Sequence, residues 1–204
     1  MPHQAEVTLL EGPQLHQVVV RQRIAQARES VWLATANVKA MMVELDDGRF
    51  HPVADLFAAL AKKGVEVRVL HAELPSRPFR TAFDKHSILV RGGMTLKICP
   101  RVHFKAVLVD GAWLYLGSAN LTGAGLGAKS DHGRNFELGI VTEDFDLIDQ
   151  TKALFEPVWN GTHCRTCRLY SQCPDPIGPG PARKGSDIKL GRSRRLSRGG
   201  RKWG

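Results

Sequence analysis

No apolar run in the 204 residues approaches the roughly 20 that a helical membrane span requires. The amino-terminal Met-Pro-His-Gln-Ala-Glu-Val also lacks the basic-then-apolar layout of a signal peptide. These two absences set the expectation of a cytoplasmic protein. Cysteine is scarce, at four residues, and no internal repeat is visible. Hydrophobic content is 43%, ordinary for a water-soluble domain, and the length suffices for one full core plus a tail.

An excess of charge is missing from most of the chain. Residues 178–204 hold nine basic side chains against Asp187 alone, a balance of +8. Only +1 of the net +9 is left for residues 1–177. The segment after Gly178 is rich in Gly, Ser and Arg, with too few apolar residues to offset the entropy of ordering, so a disordered basic tail is expected. Such an arm binds polyphosphate surfaces by releasing counterions, which makes nucleic acid the first expected partner and anionic lipid the second.

What is present is concentrated between residues 103 and 137. His103 and Lys105 stand two apart, as do Ser118 and Asn120, and Asn135 and Glu137. On extended strands each pair points to one side, so three strands would each offer a polar pair to one place. The run around His103 is apolar on both alternations, as in a strand covered on both faces. An imidazole and an ammonium there cost several kcal/mol unless paired. Grouped polar residues in a covered sheet suggest a pocket prepared for an anion.

His103-x-Lys105-x4-Asp110-x6-Gly117-Ser118-x-Asn120, followed by Asn135-x-Glu137, resembles the HKD motif of the phospholipase D superfamily. The resemblance covers about Val18 to Trp159 and implies that family's fold. Strands alternating with helices independently argue an α/β sandwich with a mostly buried sheet. The expected fold is therefore a phospholipase D-like α/β sandwich with a mixed, largely buried central sheet flanked by helices. Its expected parts are a catalytic domain over 1–160, a Cys-rich segment over 161–177 and a disordered basic tail over 178–204. Helices are expected over 14–27, 52–63, 81–90 and 145–159. Strands are expected over 30–37, 65–70, 95–98, from 102, from 113, and over 136–142. Asp46-Asp47-Gly48 signals a turn.

The resemblance also implies roles. His103 is the nucleophile and forms a phosphohistidine. Glu137 accepts from its other ring nitrogen and sets the tautomer. Lys105 and Asn120 bind phosphate oxygens, Ser118 supports them, and Asn135 stands behind. Asp110 has the opposite strand parity and precedes Gly111, so it is read as structural; Gly117 belongs to the motif's turn. Many relatives carry two such motifs in one chain. Here the N-terminal half holds no second His-x-Lys, so a complete site calls for a homodimer. This chemistry needs no cofactor. His51, His71, His86 and His132 lack partners in sequence and read as surface or structural, and Arg134 reads equally as substrate contact or surface.

Cys164, Cys167 and Cys173 form Cys-x2-Cys-x5-Cys, a spacing that a cytosolic protein rarely uses for disulfides. Zinc would take a fourth ligand from Cys99 or His163. The pattern also resembles the three-cysteine part of the iron–sulfur clamp in RecB-like nucleases, with Cys99 as the distant fourth ligand. A structural zinc, a structural iron–sulfur cluster and no metal all stay open.

The leading functional expectation is a metal-independent phosphodiesterase acting on nucleic acid, endonuclease-like, completed by homodimerisation. The alternative is a phospholipase D that hydrolyses phosphatidylcholine-type lipids to phosphatidic acid. A binding protein that keeps the fold without catalysis is the third class, opposed by the intact His103, Lys105, Asn120 and Glu137.

Overall fold

The structure, a computed structural model, describes residues 4–45 and 47–180. The expected disordered tail lies outside the described residues from 181 onward.

Seven strands form one mixed sheet: β1 (Thr8–Glu11), β2 (Ser30–Thr35), β5 (Glu66–His71), β6 (Thr95–Ile98), β7 (Lys105–Val109), β8 (Trp113–Gly117) and β9 (Leu138–Thr142). Their order is β1-β9-β8-β7-β2-β5-β6. β2, β5 and β6 run parallel, and the other neighbours pair antiparallel. A separate hairpin joins β3 (Met42–Glu44) to β4 (Phe50–Pro52) around the expected Asp47-Gly48 turn.

Period-two alternation splits the core in two. Val31, Leu33, Val67, Val69, Val107, Val109 and Tyr115 face one layer. That layer is closed by the helices α1 (Leu15–Arg23, wound wider than an α-helix), α2 (Val53–Lys62) and α3 (Arg77–Asp84). Ala34, Leu70, Ala106, Leu108 and Leu114 face the other layer, against α4 (Phe145–Trp159). The side chains are apolar on both sides because both sides are covered.

α2 starts after Pro52, whose ring suits a helix entrance, and stops at Gly64, where φ is +84° and a Cβ would be strained. α4 opens on Asp144, whose side chain accepts from the Leu147 N–H at 2.9 Å, worth about 1 kcal/mol as a cap. It buries Ile148, Thr151, Phe155 and Trp159 along one stripe. Trp32, Phe155 and Trp159 stack at 5.4 and 5.6 Å, and the Arg68 guanidinium lies 4.5 Å over Trp32.

Three expectations about elements need correction. The single helix over 81–90 is absent; α3 begins earlier, at Arg77, and a wide turn at Leu89–Gly93 follows, broken by Gly92 at φ +104°. β7 begins at Lys105 and β9 at Leu138, so His103, Phe136 and Glu137 precede their strands. β1 was not foreseen; its four residues carry one buried side chain, Leu10. Among the described residues no helix is long and apolar enough to cross a membrane.

Candidate active site

The pairing registers place one row of residues across the whole sheet. Glu11 faces Leu138, Gly139 faces Gly117, and Gly117 faces Lys105. Ala106 faces Ala34, Thr35 faces His71, and His71 faces Ile98. The start of β7, the end of β8 and the start of β9 therefore meet at one end of the sheet. His103, Lys105, Ser118, Asn120, Asn135 and Glu137 all stand there.

His103 is exposed, not enclosed between two apolar faces as the sequence suggested. The reason is its position: strand pairing begins two residues later, at Lys105, and buried Val102 turns the next side chain, His103, out of the core. Lys105 is half-buried and donates to the His103 carbonyl oxygen at 2.8 Å. Its Nζ also lies 3.5 Å from His103 Nδ1, at the long limit of a hydrogen bond. An ammonium only donates, so Nδ1 meets it with its lone pair.

Glu137 is held by two neighbours. Ser118 Oγ donates to Oε2, and Asn135 Nδ2 donates to Oε1 at 3.0 Å. The Leu138 N–H in turn donates to Ser118 Oγ at 3.2 Å. Among the described residues His103 and Glu137 share no hydrogen bond. The carboxylate expected to orient the imidazole is instead engaged by the serine and the asparagine.

Asn120 is oriented by contacts that sequence reasoning missed. Its Oδ1 accepts from Ala36 N–H at 3.0 Å, Thr35 Oγ1 at 3.1 Å and Asn37 N–H at 3.3 Å. Three donors on one atom identify it as the carbonyl oxygen and leave the Nδ2 amide as the group available to an anion. Thr35 is buried and also accepts from the Leu121 N–H at 3.0 Å. Its only sequence signal was a hydroxyl at the end of the apolar run Val-Trp-Leu-Ala-Thr.

Gly117 and Gly139 face each other beneath the site because the Tyr115 ring lies across both. A Cβ on Gly117 would run into Tyr115 Oη and stand 2.7 Å from the Leu138 carbonyl oxygen; one on Gly139 would run into the ring. Burial pushes the Tyr115 hydroxyl up to about 12, with the negative charge of Glu137 adding to it.

Asp110 stands at the other end of β7, about 16 Å away at strand rise. It takes φ +52° and Gly111 +64°, the central pair of a tight turn closed by the Ala112 N–H to the Val109 carbonyl oxygen, within the three-residue loop between paired Val109 and Trp113. Its carboxylate accepts from the N–H groups of Arg28, Glu29 and Ser30, at 2.8 to 3.1 Å. Burial raises its pKa, but these three bonds outweigh that and hold it below the ordinary value. Asp110 fixes the chain entering β2 and does not reach the site.

The other histidines divide. His51 lies 2.9 Å from Asp47, and His86 lies 2.8 Å from Asp55. His71 is fully buried, which excludes a surface role, and its Nδ1 lies 2.7 Å from the Glu73 carbonyl oxygen. Burial lowers its pKa, so the ring stays neutral. Arg134 is paired with Asp131.

All four cysteines are free thiols, and all four border one small cavity between β6 and the segment after α4. Among the described residues no group of three or more His, Cys, Asp or Glu is arranged to hold a metal ion as it stands.

The family model of the cardiolipin synthase phospholipase D-like domain matches residues 20–159. No curated protein matches by sequence. Among solved structures the chain is similar to Nuc of Salmonella typhimurium, a phospholipase D family member. The TM-score is 0.57 at 19% identity, over 86% of this chain and 100% of that one. NucT from Helicobacter pylori gives 0.55 at 17% identity, over 76% and 96%. TrmBL2, an archaeal chromatin protein with a novel mode of DNA binding, gives 0.51 at 14%, over 78% and 53%.

Proposed function

The chain belongs to the phospholipase D-like family, and on that premise we propose that it is a nuclease, a homodimer that cleaves nucleic-acid phosphodiesters through His103. Membership makes it a phosphodiester-acting enzyme; the substrate, the dimer and the covalent intermediate are our reading. What carries it is the composition of the sheet end: one exposed imidazole, one ammonium, one oriented amide and one carboxylate. That is half of what a two-step displacement requires.

In this mechanism a His103 ring nitrogen attacks phosphorus and the bond to the leaving oxygen breaks. The partner subunit's His103 gives that oxygen its proton. The same group then takes a proton from water, the hydroxide attacks phosphorus, the P–N bond breaks and both imidazoles are restored. Lys105 Nζ and Asn120 Nδ2 bind the non-bridging oxygens as charge grows on them. In the assembled site Lys105 releases His103 Nδ1, the ring proton moves from Nε2 to Nδ1, and Glu137 leaves Asn135 to accept from Nδ1, which frees Nε2 for attack. Catalytic hydrogen bonds of this kind commonly tighten only when substrate is bound. Imidazole and ammonium supply the nucleophile and the positive charge, so no metal is needed for the step.

The dimer is supported by an uncovered apolar surface. α4 closes its layer over β8, β7 and β2, but Leu9 and Leu138 on the outer strands, and Val7 and Phe136 just before them, stay open. Phe136 is fully exposed and sits between Asn135 and Glu137, so a two-fold axis on this surface brings two sheet ends together. Nucleic acid is supported by the +8 tail, by Lys129, His132 and Arg134 in the loop before β9, and by the DNA binding of TrmBL2. The same apolar surface gives the phospholipase reading its one specific support, as a membrane contact.

One assay panel in EDTA separates them: plasmid, single-stranded oligonucleotide, RNA and phosphatidylcholine vesicles, each with wild type, His103→Ala and Phe136→Glu. Nucleic acid is cut and vesicles are not, His103→Ala is inactive, and Phe136→Glu is monomeric and inactive. Cleavage of vesicles alone, or full activity in a strict monomer, overturns the proposal.

A further inference from the structure

We propose that Cys99, Cys164, Cys167 and Cys173 together hold a structural, thiolate-ligated metal centre, zinc or an iron–sulfur cluster, that ties the segment after α4 to the loop before His103.

The segment itself poses the problem. Two single-turn 3₁₀ helices, Cys164–Thr166 and Tyr170–Gln172, contribute no buried residue. From Gly161 to Gly180 no side chain reaches core burial. Ordering a residue costs about 1–2 kcal/mol of backbone entropy, and short segments without a core are normally held by disulfides or metal. The cysteines form no disulfide.

The arrangement of the thiols answers it. Cys167 and Cys173 each end one 3₁₀ turn with nearly the same backbone, φ −72° ψ 125° and φ −71° ψ 127°. Cys164, Cys167 and Cys173 are half-buried while the residues directly flanking them are exposed, so the three thiols turn inward. The cavity they border with Cys99 measures about 30 Å³. That is room for one or two waters, far from the several hundred cubic ångströms of an organic-ligand site. The Cys173 Sγ is 3.9 Å from the carbonyl oxygen of Ile98, the residue before Cys99. His163, the other sequence candidate for fourth ligand, is exposed and does not border the cavity.

The four thiols surround the space without yet closing on it. A change of χ1 moves a cysteine sulfur while its backbone stays in place. On ligation each thiol releases its proton to solvent and the thiolate binds metal. Four soft thiolates select zinc or iron–sulfur over magnesium or calcium. Cys99 follows β6 directly, its N–H donating to the His71 carbonyl oxygen at 2.8 Å, and it precedes His103 by four residues. The centre would therefore brace the strand entrance that carries the nucleophile.

The test is independent of enzymatic activity. The full chain is purified without oxygen and analysed for zinc, iron and acid-labile sulfide, and its thiols are alkylated with and without a chelator. About one zinc per chain, or iron with matching sulfide and a visible absorption band, is expected. All four thiols are protected until the metal is removed, and then react together. Single Cys→Ser variants at 99, 164, 167 and 173 lose the metal, while His163→Ala keeps it. Substoichiometric metal in the wild type, thiols that alkylate independently, a disulfide in their place, or metal retained by all four Cys→Ser variants overturns the inference.

Discussion

Asn120 offers two substitutions that separate holding the loop from holding the phosphate. Its Oδ1 collects two backbone N–H groups and the Thr35 hydroxyl, all within 3.3 Å. Asn120→Ala removes the acceptor and leaves three partly buried donors without one. Each orphaned donor costs about 1–3 kcal/mol when water cannot replace the partner. Asn120 is itself half-buried, so water reaches some of the space and the total is about 2 kcal/mol. At this chain length that lowers Tm by about 4–8 °C. Asn120→Asp keeps an acceptor in the same place, and stability stays within about 0.5 kcal/mol of wild type. The Asp variant, however, trades the Nδ2 donor for a carboxylate facing an anion. Removing one donor to a developing oxyanion typically costs about 10²–10³ in turnover, and the added negative charge pushes the loss higher. Thermal unfolding followed by circular dichroism, beside hydrolysis of bis-p-nitrophenyl phosphate, reads both. The reasoning is refuted if Asn120→Ala melts with wild type, or if Asn120→Asp keeps more than a tenth of its turnover.

At the far end of β7, Asp110→Ala loses the acceptor for three N–H groups and destabilises by about 1–3 kcal/mol, while turnover per folded molecule is unchanged. The folded-state pKa of Asp110 is depressed, so its stabilisation is fully present above the unfolded value, near 3.9, and fades as pH falls through the folded value. Denaturant melts of Asp110→Asn and wild type, well apart at pH 7, converge below about pH 4. Gly117→Ala is caught between the Tyr115 ring and the Leu138 carbonyl, and loses about 1–3 kcal/mol because neither neighbour can withdraw freely. Deleting residues 178–204 lowers oligonucleotide affinity and flattens log Kd against log salt by about 0.9 for each duplex phosphate the tail had neutralised. Turnover of the small diester is unaffected, and an unchanged salt slope removes the tail from substrate binding.

How much of this was legible in the sequence depended on which residues carry their own partners. The strands β2, β5, β7 and β8 were plain as short apolar runs because they are central and both of their faces meet an apolar layer. β1 was invisible, since an edge strand with one buried side chain, Leu10, has no pattern to read. The polar pairs could be placed together because register propagates: Gly117 faces both Lys105 and Gly139, so neighbouring strands deliver their ends to one place. What spacing could not show was which partner each group takes. Glu137 can accept from His103, Ser118 or Asn135 with equal chemical sense, and in the single chain it accepts from the last two. Nor could spacing show that Thr35, eighty-five residues away, orients Asn120. Hydrogen bonds between distant loops leave no periodic trace.

The two ends of the sheet divide the labour, and the division follows from topology. At one end β7 and β8 are joined by the tight Asp110-Gly111 turn, which the Asp110 carboxylate ties to the start of β2. At the other end the chain leaves β1, β2, β5, β6 and β8 and returns into β7 and β9. Every strand end there is free to carry a functional group, and no hairpin closes it. A motif that spans both ends of β7 therefore contains residues of two kinds. His103 and Lys105 answer to chemistry and Asp110 to folding, although they stand only a few residues apart. Substitutions at His103 should change turnover with little change in melting, and substitutions at Asp110 should do the reverse. A variant at either position that moves both quantities equally contradicts the separation, because a rigid strand of five residues transmits position but not charge over about 16 Å.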